Sequence, residues 1–257
     1  MAISDFAQNY HDQMFPNYQS SFTKTDPGFI ELFDNFAFDN VLQESAIDQV
    51  TRFQLILAAL IGCQGQDEFQ ALLPAALRFG VTAIEIKEII YQAVAYLGIG
   101  RVFPFLKISN LLFEQLGIEA NPLARATSTP DNHLEKGREA LVAIMGDKMR
   151  NFDQSGPQHR QTINRWLTEN CFGDYYTRQG LDYAKRELMT LCYLAAQGAC
   201  ESQLTSHAET NLGLGHSFDY LVDAMTQLVP YIGYFRVLNA IVCLEKANAT
   251  FLNSEVN

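Results

Sequence analysis

Gln92-Ala93-Val94-Ala95-Tyr96-Leu97-Gly98-Ile99-Gly100-Arg101-Val102 returns 135 residues later as Gln227-Leu228-Val229-Pro230-Tyr231-Ile232-Gly233-Tyr234-Phe235-Arg236-Val237. Gln, Val, Tyr, Gly, Arg and Val keep their places in both passages. Working outward, the same offset pairs Asn35 with Asn170, Asp39 with Asp174, Leu77 with Leu212 and Gly80 with Gly215. Between these blocks the offset slips to 134, pairing Asp48 with Asp182 and Arg52 with Arg186. One residue is lost before the matching helix and one is regained after it. The period is far longer than the roughly 20–50 residues of a solenoid repeat, so it reads as a duplicated small domain. What differs between the copies then becomes the guide to chemistry.

Hydrophobic periodicity is helical nearly everywhere, and no segment alternates with the period of a strand. Helices are expected over 46–64, 82–97 and from Gly100 to about 116, then over 181–198, 200–213, 217–232 and 234–248. Thr82-Ala83-Ile84-Glu85 is a capping box, and Gly80 before it suits a left-handed stop. The predicted fold is all-α, as two tandem helical bundles with short connections. An aromatic arm spans 1–25 (Tyr10, Phe15, Tyr18, Phe22) and is expected to dock on the body or on a neighbouring subunit. The first copy spans 26–118. A linker with Pro122, Pro130 and Thr127-Ser128-Thr129, followed by a connecting helix, spans 119–145. The second copy spans 146–257.

The chain of 257 residues is 48% apolar and 18% charged, enough to bury a sizeable core. Its net charge of −11 argues against a nucleic-acid or anionic-membrane partner. No apolar run reads as a membrane span, and Met1-Ala2-Ile3-Ser4-Asp5 does not open a signal peptide. The cysteines Cys63, Cys171, Cys192, Cys200 and Cys243 are scattered and form no CxxC, which fits a reducing compartment. Cytoplasmic localisation is expected. His11, His133, His159 and His216 lack ligand spacing, so no metal site is expected. No phosphate-binding glycine loop is present, and no cofactor is expected.

The second copy contains Phe172-Gly173-Asp174, Gly180-Leu181-Asp182, Arg186-Glu187-Leu188, Cys200, His207 and Gln227-x3-Tyr231-x-Gly233-x2-Arg236-Val237-Leu238-Asn239-Ala240. This ordered set resembles the carboxymuconolactone decarboxylase family, which includes the alkylhydroperoxidase D-like proteins. The resemblance covers about 75 residues of each copy. It implies an all-α fold and ring assembly, with two-copy chains forming a trimer where single-domain relatives form a hexamer. In the peroxidase-like branch the motif is a glutamate followed by Cys-x2-Cys-x3-His. Cys200 then matches the first cysteine, Gln203 stands at the second, and His207 matches the histidine. Glu187 matches the glutamate, one residue further from Cys200 than the family pattern, consistent with an insertion near Gly198-Ala199.

Cys200, Gln203 and His207 lie at i, i+3 and i+7 on one helical face. Cys200 at a helix start would feel the positive end of the dipole, which favours thiolate. About two turns separate it from His207, so Gln203 or a water would have to bridge them. His207 suits a proton carrier. The column Cys200, Leu204, Ala208, Leu212 equally describes a core-facing stripe. Glu187 orients His207 or shuttles protons in the catalytic reading. Beside Arg186, it is expected in a surface or interface ion pair. The first copy has Leu72 at the His207 position, Phe53 at the Glu187 position and Gly65 nearest Cys200. Cys63 is either a resolving thiol or a plain buried cysteine. Gln203, Gln227, Tyr231 and Arg236 are candidate substrate contacts, although Gln92/Gln227, Tyr96/Tyr231 and Arg101/Arg236 occur in both copies and so suit fold or assembly.

Three functions follow. One is cofactor-free decarboxylation or isomerisation of a small carboxylated lactone or related acid. His207 would then be the general acid, and Arg186 or Arg236 would hold the substrate carboxylate. The second is thiol-based hydroperoxide reduction through Cys200, which without a partner at Gln203 needs another thiol to resolve it. The third is a non-catalytic oligomeric module that keeps the fold. The enzymatic readings place one site per chain, in the second copy, acting on a small-molecule substrate within a homo-oligomer.

Overall fold

The computed structural model describes residues 2–16, 18–120 and 123–255; Pro122 of the expected linker lies outside them. Among the described residues the chain is helical without strands. The first repeat runs through α1 (Asp5–Met14), α2 (Pro27–Asn35), α3 (Gln49–Cys63), α4 (Gln66–Arg78), α5 (Ala83–Leu97) and α6 (Ile99–Leu116). The second runs through α7 (His133–Met145), α8 (Gln158–Trp166), α9 (Tyr183–Gln197), α10 (Glu201–Gly213), α11 (Phe218–Thr226), α12 (Val229–Ile232) and α13 (Tyr234–Glu255). No helix among the described residues is long and apolar enough to cross a membrane.

The expected start signal at Thr82 acts, and further caps accompany it. Asp48 and Asp182 cap α3 and α9 by accepting from the Thr51 and Lys185 amides. Thr82 and Glu85 form the reciprocal capping box of α5, and Ser217 caps α11. The expected 217–232 helix is divided. Pro230 lacks an N–H and its ring crowds the carbonyl four residues earlier, so the chain breaks after Thr226 and restarts at Val229. Its counterpart is Ala95, and α5 runs unbroken.

The centre of the molecule is the pair α3 and α9, each buried on almost every side. They meet at Gly62, where an added Cβ would lie 2.7 Å from the Ala196 Cβ and 2.8 Å from the Tyr193 carbonyl oxygen. The two repeats then lock reciprocally. Arg52 of α3 donates from Nε to Gln227 Oε1 at 3.1 Å, and Arg186 of α9 donates from Nη1 to Gln92 Oε1 at 3.1 Å. Both arginines are fully buried. The shared Gln and Arg positions therefore join the halves, as a fold role for the repeated residues implied.

Both repeats also carry a π-helical stretch at matching places, Phe36–Asn40 after α2 and Leu167–Tyr176 after α8. Each receives a preceding helix. The Ser4 hydroxyl at the start of α1 donates to Asp39, while the Ser128 hydroxyl and His133 before and within α7 contact Asp174. The aromatic arm is thus docked on the body, with Tyr10 hydrogen-bonded to Arg52. It occupies the place in the first repeat that the connecting helix occupies in the second.

Candidate active site

Glu187 lies one turn into α9 and is fully buried, not at a surface or in an interface ion pair as its neighbour Arg186 suggested. Arg186 points elsewhere. Its guanidinium is taken up by Gln92, by Glu88 at 2.9 Å and by the Arg178 carbonyl, and Glu88 is further held by the Arg178 guanidinium. This leaves the Glu187 carboxylate to the other side of the helix. Its Oε2 meets His207 Nδ1 at 2.6 Å, and its Oε1 accepts from the Tyr176 hydroxyl at 2.8 Å. Two donors on one buried carboxylate replace the water it lost.

The network continues across the repeats. Tyr176 Oη is 2.6 Å from Tyr96 Oη and 2.9 Å from Thr190 Oγ1, and Gln92 donates to the same Thr190 oxygen at 2.9 Å. The Tyr96 and His207 rings pack edge to face at 5.6 Å between centroids. Burial, with Cys171 and Glu187 alongside, pushes the Tyr96 phenol well above its usual range, and burial with Glu187 does the same to Tyr176. Both therefore remain protonated donors. Cys171 sits against Tyr96, and burial raises its thiol to about 12.

His207 is held by one nitrogen and only partly covered, with 13% of its side chain exposed. The carboxylate at Nδ1 selects the tautomer and leaves Nε2 for a ligand. An imidazole backed by a buried carboxylate is equipped to give or take a proton at that nitrogen.

Other expected contacts lie apart from this pair. The Cys200 thiol donates to the Leu194 carbonyl at 3.4 Å and lines a small cleft with Arg236 and Asn239. Burial pushes the Cys200 thiol pKa up, Gln197 opposes this and Glu201 adds to it; neither His207 nor Glu187 is among these neighbours. The dipole argument for a thiolate fails here because lost solvation and an adjacent carboxylate oppose it. The insertion that the spacing implied is visible as Ala199 with φ of 56°, a left-handed turn that re-aims Cys200. Gln203 is exposed. Gln227 is buried on Arg52 and the Val41 carbonyl, so it holds structure and not a ligand. Tyr231 faces the first repeat, packing edge-on to Phe33. Arg236 is exposed, and its site partner is the Cys200 cleft, not His207.

Tyr96, Tyr176 and Thr190 join the site without having been singled out as candidates. Tyr96 was legible as one of a repeated pair, but only the fold shows that it crosses to the other repeat's histidine. In the first repeat the counterparts of Tyr176, Glu187 and His207 are Val41, Phe53 and Leu72, all buried and apolar.

The model of the carboxymuconolactone decarboxylase family matches residues 27–108 and 161–246, more than half of the chain. The chain belongs to that family. Among solved structures it is similar to a Burkholderia xenovorans protein provisionally named a gamma-carboxymuconolactone decarboxylase subunit. The two share 16% identity, with 96% of this chain and 97% of that one covered and a TM-score of 0.56, a likeness of fold. No curated protein matches the chain.

Proposed function

We propose that this family member is a cofactor-free carboxy-lyase with one site per chain, in the second repeat, acting on a small carboxylated lactone or related acid. The observation that carries the reading is the Glu187–His207 contact of 2.6 Å inside a closed hydrogen-bond network. As the carbon–carboxylate bond breaks, its electron pair passes into the unsaturated lactone ring and carbon dioxide leaves. His207 Nε2 gives its proton to the ring carbon where that charge collects, and Glu187 stabilises the imidazolium beforehand. Tyr176 and Tyr96 hold Glu187 in place and act as positioning residues. Arg186 is spent on Glu88 and Gln92, which leaves the substrate carboxylate to another donor.

Hydroperoxide reduction through Cys200 is less well supported, because that thiol is protonated, donates to a backbone carbonyl and lies away from His207. The chain is further proposed to work as a homo-oligomer, a trimeric ring being the arrangement that two repeats per chain favour. Exposed apolar residues at matching places on α6 (Ile99, Phe103) and α13 (Tyr234, Leu238), with Leu111 and Phe235 beside them, support self-association. Neither nucleic acid nor membrane is expected as a partner, and a cytoplasmic location is in keeping with five free cysteines.

The test is carbon dioxide release from carboxymuconolactone and related carboxylated lactones in deuterated water. Turnover with carbon dioxide release and solvent deuterium taken up on a ring carbon of the product is the expected result. Absence of release across the panel, or a product without ring deuterium, contradicts the reading.

A further inference from the structure

Where the second repeat closes its site around an imidazole, the first repeat keeps an open cavity of about 1140 Å³. It is walled by α1, α2 and α4 and by Pro230 and Tyr231. Phe33 stands edge-on to both Phe38 and Tyr231, giving the cavity an aromatic wall. Its volume suits an organic molecule of moderate size.

The cavity's polar lining is acidic. Asp12, Asp34, Asp67 and Glu68 contribute, and no Lys or Arg is among the described lining residues. Asp34 is the most telling. It is 93% removed from solvent, with 7% exposed, yet it has no hydrogen-bond or ion-pair partner among the described residues. Its oxygens are not among the sealed, unpartnered atoms, so the carboxylate opens on the cavity that Asp34 lines. Burial pushes the Asp34 carboxyl up, with His11 opposing, and burial and Asp34 together push Glu68 up. The two carboxylates thus repel each other beside the cavity, with the His11 ring opposing at Asp34. His11 Nδ1 is also buried without a hydrogen bond. No group of three or more metal-ligating side chains occurs among the described residues, so a bare metal ion is poorly served. A cationic group on an apolar body would satisfy the carboxylates and the rings together.

We propose that this cavity binds a small organic amine, its ammonium between Asp34 and Glu68 and its apolar body against Phe33, Phe38 and Tyr231. The negative net charge of −11 assists capture of a cation. The site is separate from the His207 network and stands independently of the decarboxylase reading.

The test is calorimetry on the full chain near neutral pH with phenethylamine, and with phenethyl alcohol and phenylacetate as neutral and anionic analogues. The amine is expected to bind at least about tenfold more tightly than the alcohol, and phenylacetate not at all. Asp34→Asn is expected to lose about tenfold or more in amine affinity, while the ligand-free variant melts no lower than the parent. Asp219→Asn, exposed and outside the cavity, is expected to leave amine affinity unchanged. Equal affinity for amine and alcohol overturns the proposal, as does amine binding that survives Asp34→Asn. An Asp34→Asn chain that fails to fold also overturns it, because Asp34 would then have an internal partner.

Discussion

At the scale of single residues, the proposed chemistry rests on a carboxylate with no solvent and two donors. Glu187→Gln would keep the shape but supply an amide where His207 needs an anion. Turnover is expected to fall about 10²–10⁴-fold, the range of a lost general acid–base device, with little change in melting temperature. Tyr96→Phe removes a hydroxyl from the far end of the network. It is expected to lower kcat more than it changes KM, which a binding contact would not do. Lys87 offers a separate check on the packing. It is buried between Ser109, Asn110 and the Phe113 ring, and burial lowers its pKa to about 8. An unfolded lysine titrates near 10.4, so from about pH 8 to 10 the unfolded chain binds more protons than the folded one. Folding stability of the parent should therefore rise through that window relative to Lys87→Met. Parallel melting curves for the two across that range would contradict the burial of the ammonium group. Cys200 and His207 were readable from their spacing. Which way each faced was not, because Ala199 adopts a left-handed turn that no propensity of alanine announces.

At the scale of elements, the decisive contacts are between helices remote in sequence. Gly62 lets α3 and α9 touch, and Gly62→Val is expected to destabilise the chain by about 1–3 kcal/mol, as overpacking does, measured by denaturant unfolding. Gln92→Leu would leave Arg186 Nη1 without its acceptor, in a guanidinium whose Nε is already buried unpaired. The cost of leaving such a buried donor unsatisfied is about 1–3 kcal/mol, measured by denaturant unfolding. The start of α5 was legible from the Thr82–Glu85 capping box. The π-helical stretches were not, because no side-chain cap opens Phe36–Asn40 or Leu167–Tyr176. The Tyr176 side chain leaves the end of the second stretch to meet Glu187, so the missed geometry is also what completes the site.

At the scale of the whole molecule, the two repeats differ in their buried polar groups. One repeat keeps a carboxylate, an imidazole and a tyrosine; the other has Phe53, Leu72 and Val41 in their places and an acidic cavity nearby. Each still depends on the other, since Tyr96 and Gln92 enter the second repeat's network and Gln227 holds Arg52 of the first. The internal repeat made the all-α, two-copy architecture readable from sequence. The reciprocal crossing was not readable, because matching residues show that two copies exist and not how they embrace. Phe235 is 83% exposed on α13, an apolar ring of the kind that marks an interface. Phe235→Glu is expected to shift the chain toward lower mass in light scattering without lowering the melting temperature of the subunit. An unchanged mass would place the interface elsewhere.

The central claim is that His207, and not Cys200, carries the reaction. The most direct measurement compares decarboxylation by His207→Asn and Cys200→Ser with the parent, under identical conditions. The expected result is a loss of about 10²–10⁴-fold for His207→Asn and near-parental turnover for Cys200→Ser. Loss of activity in Cys200→Ser with His207→Asn still active would contradict the account.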